Sequence, residues 1–235
     1  VQLVNNWRGK ISSNTDALIV FGSGIIGSMT FAFTDSHWFN AVEAEVYAFS
    51  TFFTAIVVWL ALLWSEKADE KGNERYILII AYMIGLATGL HLLNLLTIPF
   101  VALLIYFKKY KFEWTSFSIL VVVTGLVFFI IHNVIIKGMP KIADAIGVSA
   151  TALLVITIFA SMVWAIINHK QLLSIVLTSI VLVLIGYSTY AMIFIRSNQN
   201  PGIDENDPET VEAFISYLER EQYGDVGMLP RRFKG

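Results

Sequence analysis

The chain has 235 residues, of which 56% are hydrophobic and only 14% are charged, and its mean hydropathy is +0.68. Soluble domains carry about 25% charged residues, so this composition excludes an ordinary soluble enzyme or binding module. The net charge of −2 comes without a basic patch, which gives no support for a nucleic-acid partner. Because the sequence contains no cysteine, disulfide bonds, thiolate catalysis and cysteine-ligated metal are excluded as well.

Long apolar runs that are nearly free of charge are typical of membrane-spanning helices. They predict an all-α integral membrane protein with about seven transmembrane helices. In chain order, the predicted spans cover residues 17–33, 46–64, 76–91, 93–107, 117–136, 150–168 and 172–195. These spans form a transmembrane module over residues 1–195, and residues 196–235 form an extracytoplasmic tail.

The region 76–107 could form one helix or two. One helix would be about 48 Å long at 1.5 Å per residue, which exceeds a hydrocarbon core of about 30 Å. Two helices would each be short, with a break near residues 91–94. A single span would also place the lysines of 108–111 opposite the basic loop 67–75, against the positive-inside rule. We therefore expect seven spans, a cytoplasmic N-terminus and a periplasmic tail.

The tail combines a polar, turn-rich segment with an apolar helical pattern. "RSNQNPGIDENDP" (196–208) is rich in oxygen ligands, but its spacing is not that of an EF-hand loop. The following residues predict an amphipathic helix over about 208–222, which lies on the outer membrane surface or against the helix bundle. Its predicted features are the N-cap Asp207, the first position Pro208, the terminator Gly224 and the apolar face of Val211, Phe214, Ile215 and Leu218.

The stretch "TDSHWFNAVEAEVYAFS" (34–50) places acidic groups and an imidazole between two apolar runs. One interpretation is a solvated loop whose carboxylates favour a helix N-terminus. Apolar neighbours such as Trp38 and Phe39 indicate instead a loop at the membrane interface. Carboxylates there can act as a general base toward a hydroxyl or hold a divalent cation. The candidate catalytic residues are Asp35, Glu43 and Glu45, and the last two are the metal ligands if a metal is bound.

His91 and Asn94 lie one helical turn apart at the outer end of a short span. Such residues are either hydrogen-bonded structural groups or the lining of a cavity, because polar groups at a helix break rarely face lipid. His132 and Asn133 repeat the pattern more weakly, and there the structural interpretation is favoured. Arg196 ends the last span, where it can anchor the helix to lipid head groups or pair with a phosphate.

Gly22, Gly24 and Gly27 form a GxGxxG string within the first predicted span. In a soluble βαβ unit such a string binds a dinucleotide, but no strand precedes it here. We therefore expect these glycines to allow close packing of helices through small residues.

Three longer segments resemble a known family. They are "FTDSHWFNAVEAEVYAFSTFFTA", "AYMIGLATGLHLLNLLTIPFVALLIYFKK" and "YSTYAMIFIRSNQNPGIDENDPETVEAFISYLEREQYGD". The sequence resembles the DUF2723 family of large bacterial membrane proteins, which are common in Bacteroidetes. That family is related to an animal endoplasmic-reticulum protein O-mannosyltransferase and is of the GT-C glycosyltransferase type. The resemblance covers most of residues 15–225.

The resemblance implies a multi-pass protein of the bacterial inner membrane that moves a sugar from a polyprenyl-phosphate carrier to Ser or Thr of a secreted or envelope protein. Its cofactor requirement stays open between none and a divalent cation, and its partners are membrane lipid, the lipid-linked sugar, the protein acceptor and other membrane subunits. By this analogy, Glu43, Glu45 and Asp35 activate the acceptor or organise the site. The lipid phosphate would be contacted by His91, Asn94, Arg196, His37 and Tyr47.

The sequence also departs from that family. Its members normally have an early acidic extracytoplasmic loop that reads like Trp-Asp-x-Gly-Glu, and no such loop occurs here. We expect the chain to be either a piece of a longer protein or one that has lost this part. Two other interpretations remain open: a non-catalytic membrane subunit that docks a secretion or envelope complex, and a transporter. The transporter is less favoured, because the charged groups sit at one face and no inverted repeat is evident.

Overall fold

The computed structural model describes residues 1–9, 11–43, 46–219, 221 and 224. These residues are mainly helical and contain no strand, which confirms the predicted all-α integral membrane class. Three irregular helical segments interrupt the regular ones: 3₁₀ turns at Leu92–Leu96 and Ser188–Tyr190, and a π-helix at Ile130–Ile136. The α-helices are α1 (Gln2–Arg8), α2 (Asn14–Ala32), α3 (Asp35–Val42), α4 (Tyr47–Glu66), α5 (Glu74–Thr88), α6 (Thr97–Lys109), α7 (Trp114–Phe129), α8 (Gly138–Ile146), α9 (Val148–Ile167), α10 (Gln171–Tyr187), α11 (Ala191–Ser197) and α12 (Val211–Glu219).

Six helical segments of the described chain are long and apolar enough to cross a membrane. They are Asn14–Ala32, Tyr47–Glu66, Leu92–Lys109, Trp114–Ile136, Val148–Ile167 and Gln171–Ser197. The remaining predicted span, 76–91, corresponds to the 15 residues of α5. At 1.5 Å per residue α5 is about 22 Å long, shorter than a hydrocarbon core of about 30 Å.

Although α5 is short, it runs between the same two ends of the bundle as α10. At its start, Glu74 Oε1 accepts a hydrogen bond of 2.9 Å from Gln171 Nε2, where α10 begins. At its end, the Thr88 carbonyl accepts a hydrogen bond of 2.8 Å from the Tyr190 hydroxyl, just after α10. The two helices are therefore parallel. The end of α5 lies beside the start of α4, where Tyr47 contacts His91, whereas α6 ends beside Trp64 near the end of α4, so the chain reverses at the break that the sequence predicts near residues 91–94.

Contacts between helix ends define the two ends of the bundle. Lys109 Nζ lies 5.5 Å from the ring centroid of Trp64, so the ends of α4 and α6 meet. We call this the basic end, formed by residues 64–75, 108–114 and 168–171. The opposite end, which we call the site end, is formed by residues 34–43, 46–50, 88–97, 132–147 and 188–219. Whether all seven segments between these ends cross the membrane, and in which orientation, stays a prediction.

The helices α4, α5, α6 and α10 and the π-helix surround the buried core. In the core, Val57, Ile84, Leu95 and Ile135 pack together with little exposed surface. Many other large apolar side chains of the described helices are exposed. In a membrane protein such side chains face lipid, so a small buried core with an apolar exterior fits the composition.

The backbones of α5 and α10 approach each other closely in this core. A Cβ atom added at Gly186 would lie 2.5 Å from the Leu86 backbone nitrogen, and one at Gly85 would lie 2.5 Å from the Val183 carbonyl oxygen. Small residues allow membrane helices to pack at this distance, where any side chain would push them apart.

The sequence assigned close packing to the GxGxxG string of α2, and this prediction was wrong for two of its three glycines. Added Cβ atoms at Gly22 and Gly27 would meet no atom of the described residues within 4 Å, whereas one at Gly24 would collide with the side chain of Val1. The string lacks a neighbouring helix at two positions, because α2 packs mainly against the short α1 and α3.

The tail helix begins at Val211, three residues after the predicted start. Asp207 cannot act as an ordinary N-cap because its φ of 46° is left-handed, whereas an N-cap residue is extended. The hydroxyl of Thr210 accepts a hydrogen bond of 3.1 Å from Ala213 N instead. Lys141 of α8 pairs with Glu219, so α12 packs against the bundle at the site end.

The contact between α5 and α10 predicts an asymmetric response to two glycine substitutions. Gly186→Ala should lower the free energy of unfolding by about 1–3 kcal/mol, because the added methyl group forces two backbones apart. Gly125→Ala in α7 should be neutral or stabilising by up to about 1 kcal/mol, since its Cβ meets no described atom within 4 Å. Thermal unfolding in detergent measures both variants, and equal stability of the two would contradict the assigned contact.

Candidate functional site

The candidate site is built around the break between α5 and the 3₁₀ turn Leu92–Leu96. His91 lies in this break with an extended backbone, φ −156° and ψ 129°. Its Nδ1 accepts a hydrogen bond of 3.1 Å from the backbone N–H of Leu93. This is the geometry of an N-cap, in which a side chain satisfies a backbone donor that the new helix leaves unpaired.

Asn94 fixes the break to α4. Its side chain is buried, with 2% of its surface exposed. The amide Nδ2 donates to the carbonyl of His91 and to the hydroxyl of Ser50, each at 3.0 Å, and more weakly to the Ala87 carbonyl at 3.4 Å. Its Oδ1 accepts a hydrogen bond of 2.9 Å from Thr54 Oγ1. A buried amide in an apolar bundle needs such partners. Both carbonyls also accept backbone hydrogen bonds, Ala87 O from His91 N and His91 O from Asn94 N, so Asn94 adds a further bond to each.

These contacts bear on the predicted substrate role of Asn94. Both polar atoms of its amide are occupied by protein partners, so a direct contact with a lipid phosphate would require existing hydrogen bonds to break. The geometry gives Asn94 a positioning role, and its predicted role in phosphate binding is not tested.

Tyr47 brings the acidic stretch next to the break. It is the first residue of α4, and its ring centroid lies 5.4 Å from that of His91. Nearly half of its surface, 47%, is exposed. Tyr47 and His91, two residues that the sequence selected from segments 44 positions apart, thus share one surface at the site end.

Asp35 lies at the start of α3, beside an aromatic groove. The groove has a volume of about 470 Å³ and is lined by Phe33, Asp35, Trp38, Phe39 and Val42. Its walls are mainly apolar, and the rings of Phe33 and Trp38 are stacked with centroids 5.9 Å apart. A single carboxylate beside flat apolar walls can hydrogen-bond to hydroxyl groups of a molecule that packs on the rings.

The two described carboxylates of the acidic stretch lie at opposite ends of α3. Asp35 is its first residue, and the exposed Glu43 directly follows its last. Eight residues of helix separate their backbones by about 12 Å, and the carboxylates that come together as possible metal ligands among the described residues lie in the tail instead. Glu45 lies outside the described residues, and the predicted pair of Glu43 and Glu45 is therefore not tested. His37 is half-buried, with its ring centroid 4.5 Å from that of Phe31.

Arg196 lies in the last turn of α11, and its side chain is exposed. Its Nη1 donates a hydrogen bond of 3.2 Å to Gln199 Oε1. Within the described part of the chain, no hydrogen bond, ion pair or ring contact joins Arg196 to His91. The structure thus places Arg196 at the site end without bringing it into the contact between Tyr47 and His91.

The tail contains a group of three acidic residues, of which the sequence analysis covered only part. Asp204, Asp207 and Glu209 place carboxylate oxygens within 4.8 Å of one another. The buried hydroxyl of Ser197 donates to Asp204 Oδ2 at 2.8 Å. The sequence analysis placed oxygen ligands in the segment 196–208, which contains Asp204 and Asp207 but not Glu209. A left-handed turn at Asn206 and Asp207 lies between these residues. Exposed carboxylates often cluster without an ion, so the group is not by itself a metal site.

His132 lies in the π-helix Ile130–Ile136, which the sequence pattern did not predict. Its Nδ1 is buried and has no hydrogen-bond partner among the described residues. The ring lies 6.1 Å from that of Phe128, between centroids. A π-helix has one residue more per turn than an α-helix, and over a single turn the hydrophobic periodicity does not distinguish the two. This explains why the sequence pattern did not reveal it.

A comparison with known families bears on the half of the chain that contains most of these residues. Residues 1–114 match the family model described as Protein O-mannosyl-transferase TMEM260 N-terminal domain. The match supports a membrane glycosyltransferase in general. It covers the acidic stretch and the helix break but not Arg196 or the tail. The match fits the expected relation to a protein O-mannosyltransferase, whereas the DUF2723 family and an origin in Bacteroidetes stay predictions. The comparisons with curated proteins and with solved structures found no match.

The hydrogen bonds of Asn94 predict a large effect of its removal. Asn94→Leu should lower the free energy of unfolding by about 2–3 kcal/mol, because the hydroxyls of Ser50 and Thr54 lose a buried partner. The matched control is Asn133→Leu, since Asn133 is exposed and its side chain makes one long hydrogen bond of 3.4 Å to Phe129 O. Thermal unfolding in detergent compares them. Similar stability of the two variants would contradict the role of Asn94.

Proposed function

We propose that this chain is part of a membrane glycosyltransferase that moves a sugar from a polyprenyl-phosphate donor to Ser or Thr of secreted or envelope proteins. Transfer takes place on the extracytoplasmic face of a bacterial inner membrane. The observation that carries the proposal is the match of residues 1–114 to a protein O-mannosyltransferase family. The convergence of Asp35, Tyr47 and His91 at one end of the bundle supports it.

The helix break offers surfaces for both parts of a lipid phosphate, the apolar polyprenyl chain and the anionic phosphate. A polyprenyl chain must stay in the hydrocarbon region, while its phosphate must lie at the interface with water. Leu93 and Leu96 lie in the 3₁₀ turn that follows the break and are 58% and 61% exposed, which provides apolar surface for the polyprenyl chain. His91 and Tyr47, beside them, offer ring and hydroxyl groups that can donate hydrogen bonds to phosphate oxygens.

The carboxylates of the acidic stretch take the proton of the acceptor. In the reaction, the acceptor hydroxyl oxygen forms a bond to the anomeric carbon of the sugar, and the bond from that carbon to the phosphate oxygen breaks. The phosphate leaves with the electron pair, and a carboxylate accepts the hydroxyl proton as general base. Asp35, beside the aromatic groove, Glu43 and Glu45 are the candidates. If a divalent cation takes part, Glu43 and Glu45 are its proposed ligands.

A charge-neutralising series tests the proposal. Cells carry the full-length protein with Asp35→Asn, Glu43→Gln or Glu45→Gln, and the control is Asp69→Asn in the exposed loop of the basic end. We expect at least one of the three substitutions to reduce transfer about 100-fold or more, as for the loss of a general base. Mass spectrometry of secreted proteins measures the sugar on Ser and Thr.

Equal amounts of each variant in the membrane, shown by blotting, make the comparison valid. Asp69→Asn should leave the glycans unchanged. Wild-type glycans in all three variants would overturn the catalytic role of the acidic stretch and favour a non-catalytic subunit that docks an envelope complex.

A further inference from the structure

The N-cap at His91 determines where its ring proton sits. A nitrogen that accepts a hydrogen bond from a backbone N–H carries no proton itself, and Nδ1 of His91 accepts from Leu93 N at 3.1 Å. A neutral imidazole has one protonated and one unprotonated nitrogen. The ring proton is therefore on Nε2, and His91 can donate a hydrogen bond only through that atom.

The surroundings of His91 hold the ring in place without using Nε2. The ring of Tyr47 packs against it with centroids 5.4 Å apart and an angle of 49° between the planes. The side chain is half-buried, and its Nε2 has no hydrogen-bond partner among the described residues. A fixed N–H donor therefore remains available at the surface of the break.

The cap in turn depends on Asn94. Its Nδ2 donates to the carbonyl of His91, and its Oδ1 is held by the hydroxyl of Thr54 on α4. Ser50, one helical turn earlier on α4, accepts from the same Nδ2. These contacts tie the backbone of His91 to α4 through Asn94, and loss of one would let the cap and the tautomer relax.

We propose that His91 is a neutral hydrogen-bond donor locked in the Nε2–H tautomer, and that Asn94 and Thr54 are its positioning residues. The ligand is an anionic phosphate oxygen of a polyprenyl monophosphate, and this part rests on the proposed function. A neutral donor binds the phosphate in both its lipid-linked-sugar and its free form without adding a charge to an apolar surface, which would be costly there.

Two substitutions of His91 separate the cap from the donor. His91→Asn keeps a short acceptor of the type preferred at an N-cap, but its Nδ2–H₂ group takes the place of the ring atom Cδ2 and ends one atom short of Nε2, so the donor at the Nε2 position is lost. His91→Gln keeps an N–H donor farther along the side chain but loses the short cap. The exposed His169 at the basic end supplies the control, His169→Asn.

Binding of undecaprenyl monophosphate to the full chain in nanodiscs gives the first measurement. His91→Asn should unfold at the wild-type temperature but bind about tenfold or more weakly, since a hydrogen bond to a charged group is lost. His91→Gln should unfold at a lower temperature and bind more tightly than His91→Asn. Wild-type affinity of His91→Asn would overturn the donor role.

Nitrogen NMR of the chain with ¹⁵N-labelled histidine reads the tautomer directly and does not depend on any ligand. In alkaline buffer, the His91 signals, identified by their absence from His91→Asn among the four histidines of the chain, should show an unprotonated Nδ1 and a protonated Nε2. The opposite tautomer would overturn the inference. A correct tautomer together with a wild-type chain that does not bind the lipid would overturn only the ligand assignment and the proposed function with it.

Thr54 tests the positioning role. Thr54→Val removes the hydroxyl that holds Asn94 Oδ1 and keeps the shape of the side chain, so it should mix the two tautomers of His91 and weaken lipid binding about fivefold. Thr54→Ser keeps the hydroxyl and should restore both. An unchanged tautomer and unchanged affinity in Thr54→Val would overturn the positioning role.

Discussion

The buried amide of Asn94 is the interaction on which the rest of the structure depends. It joins the end of α5, the 3₁₀ turn and α4 through hydrogen bonds to His91, Ser50 and Thr54. A helix that breaks within an apolar bundle leaves backbone groups without partners, and each costs several kcal/mol in hydrocarbon, on the order of 2–7. Here backbone donors already bond to the carbonyls of Ala87 and His91, and Asn94 adds a further hydrogen bond to each while it ties the reversal to α4.

The reversal decides both the topology and the position of the candidate site. Without it, the lysines that follow α6 would lie at the opposite end from the basic loop between α4 and α5. With it, Lys109 lies over Trp64, and the start of α4 meets the end of α5 at the contact between Tyr47 and His91. The parallel contact of α5 and α10 through Gly85 and Gly186 then places the tail at the site end as well.

Composition and charge were enough to predict the helical membrane class and the break. The long apolar runs indicate membrane helices, and the length of region 76–107 together with the positions of the lysines left only two topologies to choose between. The predicted packing through Gly22 failed because a small-residue pattern does not say which helix lies opposite, and the contact at Gly186 carried no such pattern. At the site, residue types led to His91 and Asn94 but not to their roles. A sequence shows which groups can form hydrogen bonds, whereas their partners, such as Thr54, come from segments that only the fold brings together.

The central claim is that the break reverses the chain, so that both basic loops lie on one side of the membrane and the acidic stretch on the other. Because the chain has no cysteine, single substitutions Lys71→Cys, Lys111→Cys and Glu43→Cys give unambiguous reporters for a membrane-impermeant maleimide. The account predicts that Glu43→Cys is labelled in intact spheroplasts, and that Lys71→Cys and Lys111→Cys are labelled only after the membrane is opened. Labelling of Lys71→Cys and Lys111→Cys from opposite sides would contradict it.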